Sequence, residues 1–149
     1  MKVSVQILMI SILWAQPACF AQAQIGKRFP SERKIVLDPV TGVNLVFLTS
    51  TPMGDSKIYQ THNQWTSDGE WLIFRSKRVP GEAIAVHEKS GEMVQVTEGG
   101  YTGMLNIGRK SMKLCFMRKP VSDDGSLQII EVDLASLLSD SNAGKLKTA

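Results

Sequence analysis

Apolar residues fall in two kinds of run along this chain. Residues 3–14 are almost unbroken apolar sequence behind Lys2. From position 44 onward the runs shorten, and polar turn residues bound each one: 45–49, 71–76, 83–88, 93–97, 113–118 and 127–134. These segments are rich in Val, Ile, Leu and Phe and are too short for helices, so the pattern predicts strands. Asp68-Gly69 and Ser90-Gly91 lie between strands at hairpin-like spacing, and Asp123-Asp124-Gly125 marks a longer turn. No stretch reads as a convincing amphipathic helix, and the polar residues 135–149 read as a loose tail.

The strands repeat. Trp65 followed by Leu72-Ile73-Phe74 matches Ile107 followed by Leu114-Cys115-Phe116 at an offset of 42. Ile84-Ala85-Val86 matches Ile130-Glu131-Val132 at an offset of 46, and Thr41-Gly42 with Leu48-Thr49 matches Ser90-Gly91 with Val96-Thr97 at about 48. A period of roughly 40–50 residues with four strands per unit is the pattern of a propeller blade. One complete blade runs through strands A (62–66), B (71–76), C (83–88) and D (93–97). An orphan D-type strand, 45–49, precedes it and reads as the outer strand of a last blade. Strands A, B and C of a second blade follow, and the sequence stops near residues 145–147, where its D strand would begin. The expected fold is all-β, an incomplete β-propeller of about two four-stranded antiparallel blades behind a cleaved signal peptide. Fewer than two full blades leave apolar faces uncovered. The sequence therefore reads as a fragment, a truncated product or a chain that associates through open blade edges.

The first run changes the picture of where the protein works. It is shorter than the roughly 20 residues of a membrane span and is followed by Ala21-Gln22-Ala23, an A-x-A cleavage signal. Residues 1–23 are thus expected to be a signal peptide, with export to the periplasm or beyond and no stable membrane span. Cys19 leaves a lipoprotein as the alternative, although Gln16-Pro17-Ala18 makes a poor lipobox. Residues 24–43 form a lead segment, 44–134 the blades and 135–149 the tail. At 43% hydrophobic and 21% charged, the 149-residue chain has a globular composition. Without Lys2, 16 basic residues against 14 acidic ones leave a mild positive balance, too weak to argue for nucleic acid. Loss of Cys19 leaves Cys115 alone, which excludes an internal disulfide and a cysteine metal site.

Specific residues carry a family resemblance. Phe29-Pro30-Ser31-Glu32 precedes Asp38-Pro39-Val40-Thr41-Gly42 and Leu48-Thr49; Trp65-Thr66-Ser67-Asp68-Gly69 is followed by Leu72-Ile73-Phe74-Arg75-Ser76-Lys77-Arg78 and Val96-Thr97-Glu98-Gly99-Gly100. The second group resembles the TolB-type, WD40-like propeller repeat. With the leading segment it resembles the N-terminal region of oligogalacturonate lyases. The resemblance implies a seven-bladed propeller that cleaves galacturonate oligomers by β-elimination in the full-length form. A base removes the proton α to the C6 carboxylate, and an Mn-type divalent cation or an Arg steadies the resulting charge. The family's base and metal ligands, largely His, stand on later blades. Here only His62 and His87 occur, with no H-x-H or H-x-x-x-H pair, so no catalytic or metal-binding residue is carried over and no cofactor is assigned to this chain alone.

What remains is binding. In a propeller the D-to-A and B-to-C loops open onto one face. Here they would bring Lys57, Tyr59, Gln60, His62, Lys77 and Arg78 to one rim, joined by Arg75. Lys and Arg pair with carboxylates and a Tyr face packs on a sugar ring, which suits an acidic oligosaccharide. The bland reading makes the cations solvated loop charges and His62 a backbone-bonding strand residue. His87 reads as structural, Trp65, Trp71, Phe74 and Phe116 as packing between blades, and Cys115 as a small buried hydrophobe. No G-x-S-x-G, phosphate loop or dinucleotide motif occurs. Two further functions share the repeat: a non-catalytic TolB-like propeller that binds a protein or glycan, and the propeller of a larger exported peptidase.

Overall fold

The computed structural model describes residues 24–119 and 126–146. The expected signal peptide with Cys19, and the turn at Asp123-Asp124-Gly125, lie outside the described residues. The fold is mostly antiparallel β with one short helix. Among the described residues ten strands follow in chain order: β1 (Arg28–Phe29), β2 (Lys34–Leu37), β3 (Asn44–Phe47), β4 (Ser56–Lys57), β5 (Trp71–Arg75), β6 (Ala83–His87), β7 (Met93–Gln95), β8 (Thr102–Ile107), β9 (Lys113–Arg118) and β10 (Gln128–Asp133). The helix α1 (Leu134–Asn142) closes the series.

Three sheets result. The first has the order β1-β7-β6-β5-β4, the second β10-β9-β8, and β2 and β3 form a sheet of their own. Strands β5, β6 and β7 are the B, C and D strands expected from the repeat, and β8, β9 and β10 are A, B and C of the second unit. Pairing of Phe74 with Ile84, and of Phe116 with Ile130, sets the equivalent registers.

Alternation along the strands decides the packing. Ile73, Ala83, Ala85, Val94 and Val96 point from the first sheet into a shared core with Leu105, Ile107, Leu114 and Phe116 of the second. Ile73, Leu105 and Leu114 have no exposed surface there. The opposite face of the first sheet carries Phe74, Ile84, Val86 and Met93, and Phe29 of the lead segment and Leu48 just after β3's hairpin pack against it. Phe116 thus packs between the sheets as expected. Phe74 packs on the far face instead, and Trp65 stays 37% exposed. Trp71 borders the core and lies tilted on the His87 ring, with centroids 4.9 Å apart. Cys115 is a free thiol of intermediate exposure.

The expected orphan strand finds a local partner. Residue 36 pairs with 45 and 34 with 47, so β3 forms a hairpin with β2. Asp38 explains this: its carboxylate accepts from the Val40 and Thr41 N–H groups, its own N–H donates to the Val43 carbonyl, and Gly42 takes the left-handed φ of 70° that closes the turn. The hairpin therefore straddles the division between lead segment and blades placed at 43 and 44. Strand A of the first unit is also shorter than expected: only the Trp65–Leu72 bridge forms, while β4 pairs with the far end of β5.

Residues 134–142 are helical, which corrects the loose tail. Asp133 ends β10 in extended conformation, and its side chain accepts from the Ser136 N–H at 3.0 Å as an N-cap. Leu134, Leu137 and Leu138, at helical spacing, are buried in the inter-sheet core. Ser141 donates from Oγ to the Gly26 carbonyl at 2.7 Å and ties α1 to the start of the described chain.

Candidate functional site

The first strands of both units lie at sheet edges, β4 and the Trp65 bridge on one side and β8 on the other. Between these edges runs a groove of about 580 Å³. Two turns and one loop build it. The loop 59–63 turns back on itself through the His62 N–H to Tyr59 carbonyl bond. The turn 66–69 is held by Thr66, which accepts from the Trp71 N–H and donates to Asp68, and by Gly69 at a φ of 76°. Arg109 comes from the corresponding turn of the second unit.

His62 is the most constrained group in the groove. Its Nδ1 lies 3.3 Å from the Leu105 carbonyl of β8. A carbonyl only accepts, so in this bond Nδ1 carries the proton. The ring tilts on Tyr59 with centroids 5.1 Å apart, and Tyr59 remains 41% exposed. Gln60 and Ser67 line the same wall. Arg109 is exposed and makes no hydrogen bond or ion pair among the described residues. Asp68 accepts from Thr66 and from the Glu70 N–H. The wall thus offers the His62 imidazole, one guanidinium, and hydroxyl, amide and carboxylate groups. That set suits a hydroxyl-rich molecule with an anionic substituent.

The seven residues expected on one rim divide among five places. Gln60 and His62 line this groove, with Tyr59 packed on the His62 ring. Lys57 lines a separate, more apolar groove with Phe47, Leu48, Leu72 and Phe74. Arg75 lies over the Tyr101 ring at 5.6 Å and donates from Nη2 to the Gly103 carbonyl. Burial of Tyr101 pushes its hydroxyl pKa up, against the pull of the Arg75 charge. Lys77 is exposed, with its stem along Gly54.

Arg78 serves the architecture. Its side chain is 5% exposed and holds Glu32 through Nε and Nη2, at 3.2 and 2.7 Å, and Asp55 and Ser76 through Nη1. Glu32 also accepts from the Ser50 and Thr51 N–H groups at 2.9 Å, so one carboxylate fastens the foot of the hairpin to the first sheet. Burial pushes the Glu32 pKa up, but the Arg78 bond and the two backbone bonds outweigh it and hold it at about 2. The same carboxylates raise the Arg78 pKa against the lowering effect of burial.

His87 is confined to the C-to-D turn, where Nδ1 accepts from the Ser90 N–H at 3.1 Å. Arg109 escaped the sequence reading although a signal for it existed. At the offset of 42 it matches Ser67, so the repeat itself sets both turns at the same end of the molecule.

With this geometry the chain can be set against known proteins. Two solved oligogalacturonate lyases superimpose on it. One, in complex with manganese, has a TM-score of 0.60 and 23% identity over 77% of this chain and 30% of the lyase. The other, from Vibrio parahaemolyticus, has a TM-score of 0.61 and 20% identity over 76% of this chain and 29% of the lyase. The fold is that of part of a lyase propeller. The two stacked sheets are therefore blades, and the chain spans about 30% of the length of these lyases. No family model and no curated protein matches. The manganese of the first lyase has no counterpart that these residues fit. Among the described residues no three His, Cys, Asp or Glu side chains converge, so no step is routed through a metal. Among those residues no helix is long and apolar enough to cross a membrane.

Proposed function

We propose that this chain is the N-terminal portion of an exported, oligogalacturonate lyase-like propeller, periplasmic or extracellular, whose groove at Gln60, His62 and Arg109 binds acidic sugar oligomers. The observation that carries the reading is the Arg109 guanidinium, without a hydrogen bond or ion pair among the described residues, facing the same groove as His62 on a fold shared with the lyases. A galacturonate unit presents one carboxylate for Arg109 and hydroxyls for Gln60, Ser67 and Asp68. β-Elimination belongs to the longer lyase-type protein. The chemistry of base and cation is assigned to residues outside this chain, and the part played here is to seat and orient a carboxylated sugar.

Isothermal titration calorimetry with trigalacturonate tests this. Binding is expected, with Arg109→Ala weakening it about tenfold or more, in line with the ~1.5 kcal/mol or greater value of a charged hydrogen bond. Tyr59→Ala is expected to weaken it by a smaller factor, and neutral galactose oligomers to bind less tightly than the acid. Equal binding by the Arg109→Ala protein and the parent would refute the assignment.

A further inference from the structure

A smaller pocket, of about 260 Å³, lies where α1 meets the first sheet. Residue 71 pairs with 87, and 28 with 94. Arg28, Trp71 and His87 therefore stand on the same face of that sheet as Ala85 and Val94, the face turned towards the second blade. Glu92 joins them from the C-to-D turn, and Leu138 and Asn142 from α1. The pocket thus opens between the two blades, away from the two outer faces on which further blades of a longer propeller would stack.

Apolar surface comes from Leu138 and from the Trp71 and His87 rings, whose centroids are 4.9 Å apart. The polar surface is part donor and part acceptor. His87 Nδ1 accepts from the Ser90 N–H, which puts the ring proton on Nε2. Neither that N–H nor the Trp71 indole N–H has a hydrogen-bond partner among the described residues. Both are accessible, since Arg75 Nε is the one side-chain atom among those residues that is buried without a partner. The Asn142 amide, also unpartnered among them, both donates and accepts. Charge then selects the ligand. Arg28, the one cation lining the pocket, is already paired with Glu92 at 2.9 Å. Asn142 ends α1, and the carbonyl end of a helix disfavours anions. Neither an acid nor a base gains an unpaired counter-charge here.

We infer that this pocket binds one neutral, polyhydroxylated ring, of the kind a neutral sugar unit presents, as a site separate from the acidic-sugar groove. Hydroxyls both donate and accept, which matches the Trp71 and His87 N–H groups, the Asn142 amide and the Arg28–Glu92 pair. The apolar face of such a ring packs on Trp71 and Leu138. The volume lies below the roughly 300 Å³ at which pockets for drug-sized molecules begin, which limits the occupant to a single ring. The inference does not rest on the function proposed for the groove.

Heteronuclear NMR on the full chain, titrated with galactose, provides the test, because galactose is galacturonate without its charge. The Trp71 indole N–H signal, identified with Trp71→Phe, and the Asn142 amide signals are expected to shift saturably, and galacturonate to leave them unmoved. Asn142→Ala changes an exposed position at which alanine favours the helix, so the parent circular dichroism should be kept. Its galactose affinity, read at the Trp71 indole, should fall about fivefold, the value of one hydrogen bond. Arg109→Ala should bind galactose like the parent, which separates this site from the groove. Trp71 and Asn142 signals that stay still with galactose would overturn the inference. So would an equal response to galacturonate or to glycerol, unchanged affinity in Asn142→Ala, or loss of galactose binding in Arg109→Ala.

Discussion

Two arginines that look alike in the sequence have different work. Arg78 follows the B strand at a position where a rim cation would be welcome, yet its guanidinium makes four hydrogen bonds, to two carboxylates and a hydroxyl. Arg109 sits in a short turn and makes no hydrogen bond or ion pair among the described residues. The difference follows from the leading segment, which brings Glu32 against the B-to-C loop. Glu32 then carries a pH signature. Its folded pKa of about 2 lies below its ordinary 4.5, so its contribution is complete above pH 4.5 and is lost as the pH falls towards 2. Glu32→Gln is expected to lower stability at neutral pH and to flatten the loss between pH 4.5 and 2, as measured by urea midpoints across that range. Parallel curves for the two proteins would remove Glu32 from this role.

Among the elements, the sheet strands were the most legible. Runs such as Ala83–His87 combine β-branched or small apolar residues with turn signals on both sides, and two such units at a fixed offset fix their order. The hairpin was harder to read. Thr41-Gly42 matched Ser90-Gly91 in the repeat, but the pairing of β3 with β2 was signalled only by Asp38, whose carboxylate holds the turn between them. The helix was hidden because its nine residues, with only three Leu among Ser, Asp, Asn and Ala, look like the end of a strand running into a polar tail. Its signals were Asp133 three residues before Ser136, Leu at i, i+3 and i+4, and Gly144 just past the end. Asp133→Ala is expected to cost about 1 kcal/mol through the lost cap, and Leu137→Ala about 2–4 kcal/mol through the emptied core position. Equilibrium urea unfolding measures both. A loose tail would give no change for either.

At the scale of the whole molecule, two blades share one core through alternate positions of their strands, while α1 and the leading segment close parts of that stack which a blade pattern alone leaves open. The half of the site that the sequence indicated, Gln60 and His62, lies on one loop and needs no knowledge of how the blades meet. The other half, Arg109, depends on the stacking, since only that brings the turn of the second blade beside the loop of the first. The cations expected with them were separated for the same reason: β-strand alternation sends Lys57 and Arg75 to different faces of the first sheet. The account therefore stands or falls on a single groove that both blades build. Amide chemical-shift mapping with trigalacturonate addresses it directly. The expected result is a shift set confined to residues 59–63, 67–69 and the turn around Arg109, absent with the neutral galactose trimer. Shifts centred instead on Arg75, Lys77 and the B-to-C loop, or none at all, would contradict it.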